Sequence, residues 1–205
     1  MDSKVLKAIQ EWAGEVDEVF DLCDLRVVLG DRTESALYKR LNSLVEDKIL
    51  VKVKRGIYAT PHASLATISS RIDPSAYIST GTILARCATI GSVPARKIQA
   101  VKTGRPRAYR CGLGMIEHLS IRPALYFGFE HSDGILRATP EKAFLDVCYY
   151  AYCGKTFSFD PENDVDPSEL DRDIIARYLE KYDPRFVAFF NRIWKDKWRT
   201  ANNRL

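Results

Sequence analysis

No apolar run in this chain approaches the ~20 residues that a membrane-spanning helix needs. The first residues, MDSKVLKAIQEW, combine charge with helical periodicity, where a secretory leader would carry an unbroken apolar block. Both features lead to the expectation of a cytoplasmic protein without membrane attachment. No C-x-x-C pair occurs. The five cysteines, Cys23, Cys87, Cys111, Cys148 and Cys153, are odd in number and scattered, and the three histidines, His62, His118 and His131, lie far apart. Reduced and mostly buried thiols are expected, with no metal site. No phosphate-binding loop, G-x-S-x-G elbow or H-E-x-x-H helix is present, and no cofactor is expected. Internal repeats and low-complexity tracts are also missing.

One absence is local. Between Arg86 and Arg110 there are seven basic residues and no acidic one. The net charge of +4 is modest, but residues 61–120 hold eight basic against two acidic side chains. Such asymmetry points to a surface that faces a polyanion more strongly than the total charge does.

What is present is a globular composition, 46% apolar over 205 residues, organised around residues 33–59. Leu37, Leu41, Leu44 and Val45 share one face of a helix. Ser35, Tyr38, Lys39, Asn42 and Glu46 occupy the other. Alternation then takes over through Val51, Lys52, Val53 and Lys54, Arg55-Gly56 turns the chain, and Ile57-Tyr58 returns it. Ahead of this stretch come a helix over 3–13, an acidic linker, a short strand at 19–22 and a brief helix over 24–29 with Gly30 as its cap. Helix, strand, helix, turn, helix and hairpin is the order of a winged helix-turn-helix, expected over residues 1–61. The candidate DNA-binding set is Arg32, Ser35, Tyr38, Lys39, Asn42, Lys52, Lys54 and Arg55. Asn42 can read adenine with two hydrogen bonds, and the wing cations can reach phosphates. Glu34, Glu46 and Asp47 oppose a strongly basic surface, which points to moderate affinity or to a homodimer. A winged helix used only for protein contacts is the alternative.

The style changes after Pro61. Residues 65–72 read as a helix, 76–79 lead into another through 84–87, and 97–102 and 107–111 read as a hairpin about Thr103-Gly-Arg-Pro106. Strands follow at 115–121, 125–129 and 135–138, giving a small mixed α/β domain with a mostly antiparallel sheet over 62–160. Arg96, Lys97, Lys102, Arg105, Arg107 and Arg110 on and around the hairpin are a candidate second nucleic-acid surface. In ATPEKAFLDVCYYAYCG, Thr139 caps a helix with Pro140 in its first turn. Apolar bulk surrounds that helix, so Asp146 within it requires a partner. Two helices, 166–181 and one from Asp183-Pro184 carrying Phe186, Phe189, Phe190, Ile193 and Trp194, complete a C-terminal helical segment, 161–205. The fold class is therefore α+β.

The stretches VKVKRGIYATP, AYIST and ATPEKAFLD resemble the AbiEi family, antitoxins of type IV toxin–antitoxin (abortive infection) systems. The likeness covers about residues 15–153. It implies a protein that binds double-stranded operator DNA, represses its own operon and antagonises a nucleotidyltransferase-like toxin. In that family the winged helix binds inverted repeats, a role carried here onto Tyr38, Lys39, Asn42, Lys54 and Arg55. An enzyme reading finds little support. A metal-dependent nuclease would have to use Asp133, Glu141, Lys142 and Asp146, and neighbours such as Glu141 and Lys142 diverge by about 100° on a helix. In a third reading the aromatic C-terminal helix binds a partner.

Overall fold

The computed structural model describes residues 3–31, 33–91 and 93–201. The chain is α+β. Its first six elements are α1 (Ser3–Ala13), β1 (Val19–Asp21), α2 (Leu22–Leu29), α3 (Glu34–Glu46), β2 (Val51–Lys54) and β3 (Ile57–Ala59), with the strands in the antiparallel order β1-β3-β2. The α2 helix starts two residues earlier than its sequence pattern predicts. Asp21 caps it and exchanges hydrogen bonds with Asp24 in a capping box, and Gly30 ends it in the left-handed conformation. Of the two caps offered to α3, Thr33 is used, accepting from the Ala36 amide. Asp31 instead pairs with Arg40 at 3.2 Å.

The small sheet is covered on both faces. Phe20 and Tyr58 point to the helices, into a core with Ile9, Leu25, Leu37, Leu41, Leu44 and Leu50. Val19, Val53, Ile57 and Ala59 point the other way, against Ala63, Ile68 and Ile116 of the following body. All three residues of β3 are therefore buried, where a strand with one wet face would alternate.

That second body is built from α4 (Leu65–Ile72), β4 (Tyr77–Ile78), α5 (Gly81–Arg86), β5 (Lys97–Lys102), β6 (Arg107–Cys111), β7 (Gly114–Ser120), β8 (Phe129–Ser132), β9 (Ile135–Ala138), α6 (Pro140–Tyr152), α7 (Arg172–Leu179) and α8 (Pro184–Ala201). Its six strands run β6-β7-β5-β4-β9-β8. Three expectations are corrected here. Residues 97–111 are not a hairpin, because β7 lies between β5 and β6, parallel to the first and antiparallel to the second. The sheet is mixed, not mostly antiparallel, since β4 and β9 also pair in parallel. The segment 125–129 is not a strand: a 3-10 turn, Pro123–Leu125, precedes β8.

The C-terminal helices join the same core. The α7 helix begins at Arg172, not at 166, because Asp171 caps it and Glu141 Oε1 accepts from the Asp171 amide at 3.3 Å. Phe186, Phe190 and Trp194 of α8 are fully buried against Phe144 and its neighbours, so the aromatic stripe is core and not a free docking face. Among the described residues no helix is long and apolar enough to cross a membrane. The cysteines are free, but only Cys148 is buried, and Cys23, Cys87 and Cys153 are exposed, against the expectation of buried thiols.

Candidate nucleic-acid interface

The outward face of α3 follows from its period. With Leu37, Leu41 and Leu44 turned inward, Ser35, Lys39 and Asn42 are exposed and Tyr38 is half-buried. Tyr38 leans on the core beside Tyr58, and burial, with Tyr38 next to it, pushes the Tyr58 hydroxyl above its ordinary pKa. Lys52 pairs across the ladder with Tyr58 and shares that face of the sheet, so α3 and β2 meet around two tyrosines. The turn at Arg55-Gly56 is tight, with Gly56 at φ 83°, and it exposes Arg55. Among the described residues Lys39, Lys52, Lys54 and Arg55 make no ion pair, whereas Arg40 is tied to Asp31 and to the Leu29 carbonyl. Glu34, Glu46 and Asp47 are exposed around the same face. Arg32 lies outside the described residues.

The second candidate surface divides in two. Arg96 donates to the carbonyls of Gly112 and Leu113 and so ties down the β6–β7 turn. Lys97 pairs with Glu117 at 3.2 Å, and Lys102 with Asp73 at 2.7 Å. Lys97 and Lys102 thus carry internal counter-charges, while Arg96 is exposed and bonds only to backbone carbonyls. Arg105, Arg107 and Arg110 are exposed and have no partner among the described residues. Arg105 sits in the turn before β6, the outermost strand of the larger sheet.

The proposed nuclease constellation is not assembled. Asp133 occupies an exposed turn between β8 and β9. Lys142 and Asp146 form a fully buried ion pair at 2.5 Å, one helical turn apart. Asp146 Oδ2 accepts from the hydroxyls of Tyr77 at 3.0 Å and Ser79 at 2.7 Å. Lys142 Nζ also donates to the Tyr182 hydroxyl at 3.1 Å and lies 4.8 Å from the centre of the Phe127 ring. Burial, with the Asp146 carboxylate next, pushes the Tyr77 and Tyr182 hydroxyls far up, so both stay protonated at neutral pH. Gly128, at φ 74°, leaves room for the stem of Lys142: a Cβ there would stand 3.0 Å from Lys142 Cβ. The stretches AYIST and ATPEKAFLD thus meet through their polar residues in the interior. Sequence reasoning required a partner for Asp146 but missed Tyr77 and Ser79. The i, i+4 spacing of Lys142 and Asp146 was the available signal. Among the described residues no group of three or more His, Cys, Asp or Glu is placed to hold a metal ion.

The chain matches no known family model, and no curated protein is significantly similar to it.

Proposed function

We propose that this chain is a DNA-binding autorepressor and the antitoxin of a type IV toxin–antitoxin pair, opposing a nucleotidyltransferase-like toxin. One observation supports the DNA-binding part most directly. An exposed helix face bearing Ser35, Tyr38, Lys39 and Asn42 stands beside a strand and turn bearing Lys52, Lys54 and Arg55, whose cations have no internal partner among the described residues. The element order and the strand order β1-β3-β2 agree with a winged-helix reading, which would seat α3 in the major groove and the wing on the backbone. The antitoxin part rests on the resemblance of the three sequence stretches.

The test is binding to the duplex upstream of the chain's own gene. Log affinity is expected to fall with log salt at about −0.9 per phosphate neutralised. Asn42→Ala is expected to cost ~1–3 kcal/mol at one base-pair position and to relax preference there. Lys54→Ala and Arg55→Ala are expected to weaken specific and random DNA alike. Absence of any shift at about 50 mM salt would sink the DNA-binding reading. Equal loss on specific and random DNA for Asn42→Ala would move base reading off this face. The antitoxin reading predicts that expression of the chain relieves growth arrest by a nucleotidyltransferase-like protein encoded next to it.

A further inference from the structure

We propose that Arg105, Arg107 and Arg110, on the outer edge of the larger sheet, extend the α3–wing face and grip the phosphates of duplex DNA that flank the bases read by α3. This deepens the DNA-binding reading and rests on it. The wing strand β2 is the edge of the small sheet, and it lies against β6, the edge of the large one. Val51 of β2 packs at Gly112, just past the end of β6, where a Cβ would be 3.3 Å from its methyl group.

An apolar seam continues from there. Val53 and Ile57 on one side meet Tyr109, Cys111 and Leu113 on the other. Arg71 of α4 clamps the joint from outside, bonded to both carboxylates of the α2 capping box, Asp21 and Asp24. The two edges are therefore held in one arrangement, with the cations of one beside those of the other.

Side-chain alternation sets what that surface shows. Tyr109 and Cys111 turn into the seam, so Arg110 stands on the opposite face of β6, while Arg107 shares the seam side at the outer end of the strand. Both are exposed. Glu117, across the ladder from Ala108, is already held by Lys97 and Lys155. Its charge is not available to cancel the arginines. Lys52, Lys54, Arg55, Arg105, Arg107 and Arg110 are six cations on and beside two abutting edge strands, without an internal counter-charge among the described residues. Their occupant must be a polyanion longer than the footprint of α3, and a duplex lying in the α3 face extends past it in both directions. The competing account is that edge arginines only block strand-to-strand aggregation.

The experiment uses the full chain. Arg105, Arg107 and Arg110 are changed to serine together, and a control changes Arg177, Arg185 and Arg192, three exposed arginines of α7 and α8, to serine. Affinity for the upstream duplex and for random duplex is measured by anisotropy from about 50 to 200 mM salt. The edge variant should bind both duplexes about tenfold or more weakly, with the salt slope shallower by about 2 to 3, and should melt like the parent. The charge-matched control should keep the parental slope. If the parent binds and the edge variant keeps its affinity and slope, the proposal is overturned and the arginines serve solubility or a different polyanion. If the parent itself does not bind duplex DNA, the functional reading falls and takes this extension with it.

Discussion

Asp146→Ala is expected to cost about 3–5 kcal/mol of stability and to lower the melting temperature by about 10 °C. The reason is what the substitution leaves behind. Lys142 Nζ would remain fully buried with the Tyr182 hydroxyl and the faces of Phe127, Tyr77 and Tyr182, but without a counter-charge. The Tyr77 and Ser79 hydroxyls would lose their acceptor as well. Each group was desolvated on folding, and each needs its bond to repay that. The damage spreads because the partners come from four places: the central strand β4, helix α6, the segment after β4 and the loop before α8. A cycle separates charge from packing. Asp146→Asn keeps an acceptor for the two hydroxyls but strips Lys142 of its counter-charge, so it should remain destabilising. Lys142→Met alone strands the carboxylate. The pair together, Lys142→Met with Asp146→Asn, buries no charge and should be more stable than either single variant by urea titration. If Asp146→Ala melts with the parent, the buried pair is not what fastens α6 to the sheet.

The same residues show how far the chain could be read in advance. Helix α3, the strands flanking Arg55-Gly56, α4 and the limits of β5 and β6 were legible because their signals are local: a repeat of apolar residues, an alternation, a capping side chain. Pairing was not local. Thr103-Gly-Arg-Pro106 is a good turn, and two β-rich segments joined by a good turn read as a hairpin. Yet β7 inserts between them, because β5 is better satisfied as a central strand with Ala100 and Val101 fully buried. The start of α7 failed for a similar reason. Asp166 and Asp171 are equally good caps in sequence, and the choice is made by Glu141, thirty positions earlier, reaching the Asp171 amide. On the candidate site, the exposed face of α3 could be read from period alone. The pairing of Lys97 and Lys102 on the second basic surface could not, because Glu117 and Asp73, which neutralise them, come from other elements.

Acid is expected to loosen the fold in two steps, the first centred on His118. This residue of β7 is fully buried beneath α4. One ring nitrogen, Nε2, is 2.9 Å from the Ser69 hydroxyl, and Nδ1 has no partner among the described residues. The edge of Tyr109 closes the site. Burial pulls the His118 pKa down to about 4, from an ordinary 6.5. Asp73 pulls the other way and Lys102 adds to the depression, but these two are paired at 2.7 Å and largely offset each other. Between those two values the unfolded chain takes up a proton that the folded chain refuses. Stability therefore rises with pH across that window, and about 3 kcal/mol present at neutrality is lost as the pH falls from 6.5 to 4. The second step belongs to Glu117. Burial works against its charge, but hydrogen bonds from Lys155, Gln99 and Lys97 outweigh it and hold the pKa at about 2 against an ordinary 4.5. Its contribution is complete above 4.5 and disappears as the pH falls from there towards 2.

Urea midpoints taken down the pH scale resolve the two. His118→Gln can still meet Ser69 and does not titrate, so it should flatten the upper step and leave the lower one in place. Equal stability of the parent at pH 7 and near pH 4.5 would refute the buried neutral histidine. The position of His118 makes this step local to one joint. Through Tyr109 and its neighbour Ile116 it adjoins the seam that sets β2 against β6. Loosening there should separate β2 from the β6 edge before the core around α6 and the aromatic stripe of α8 yields.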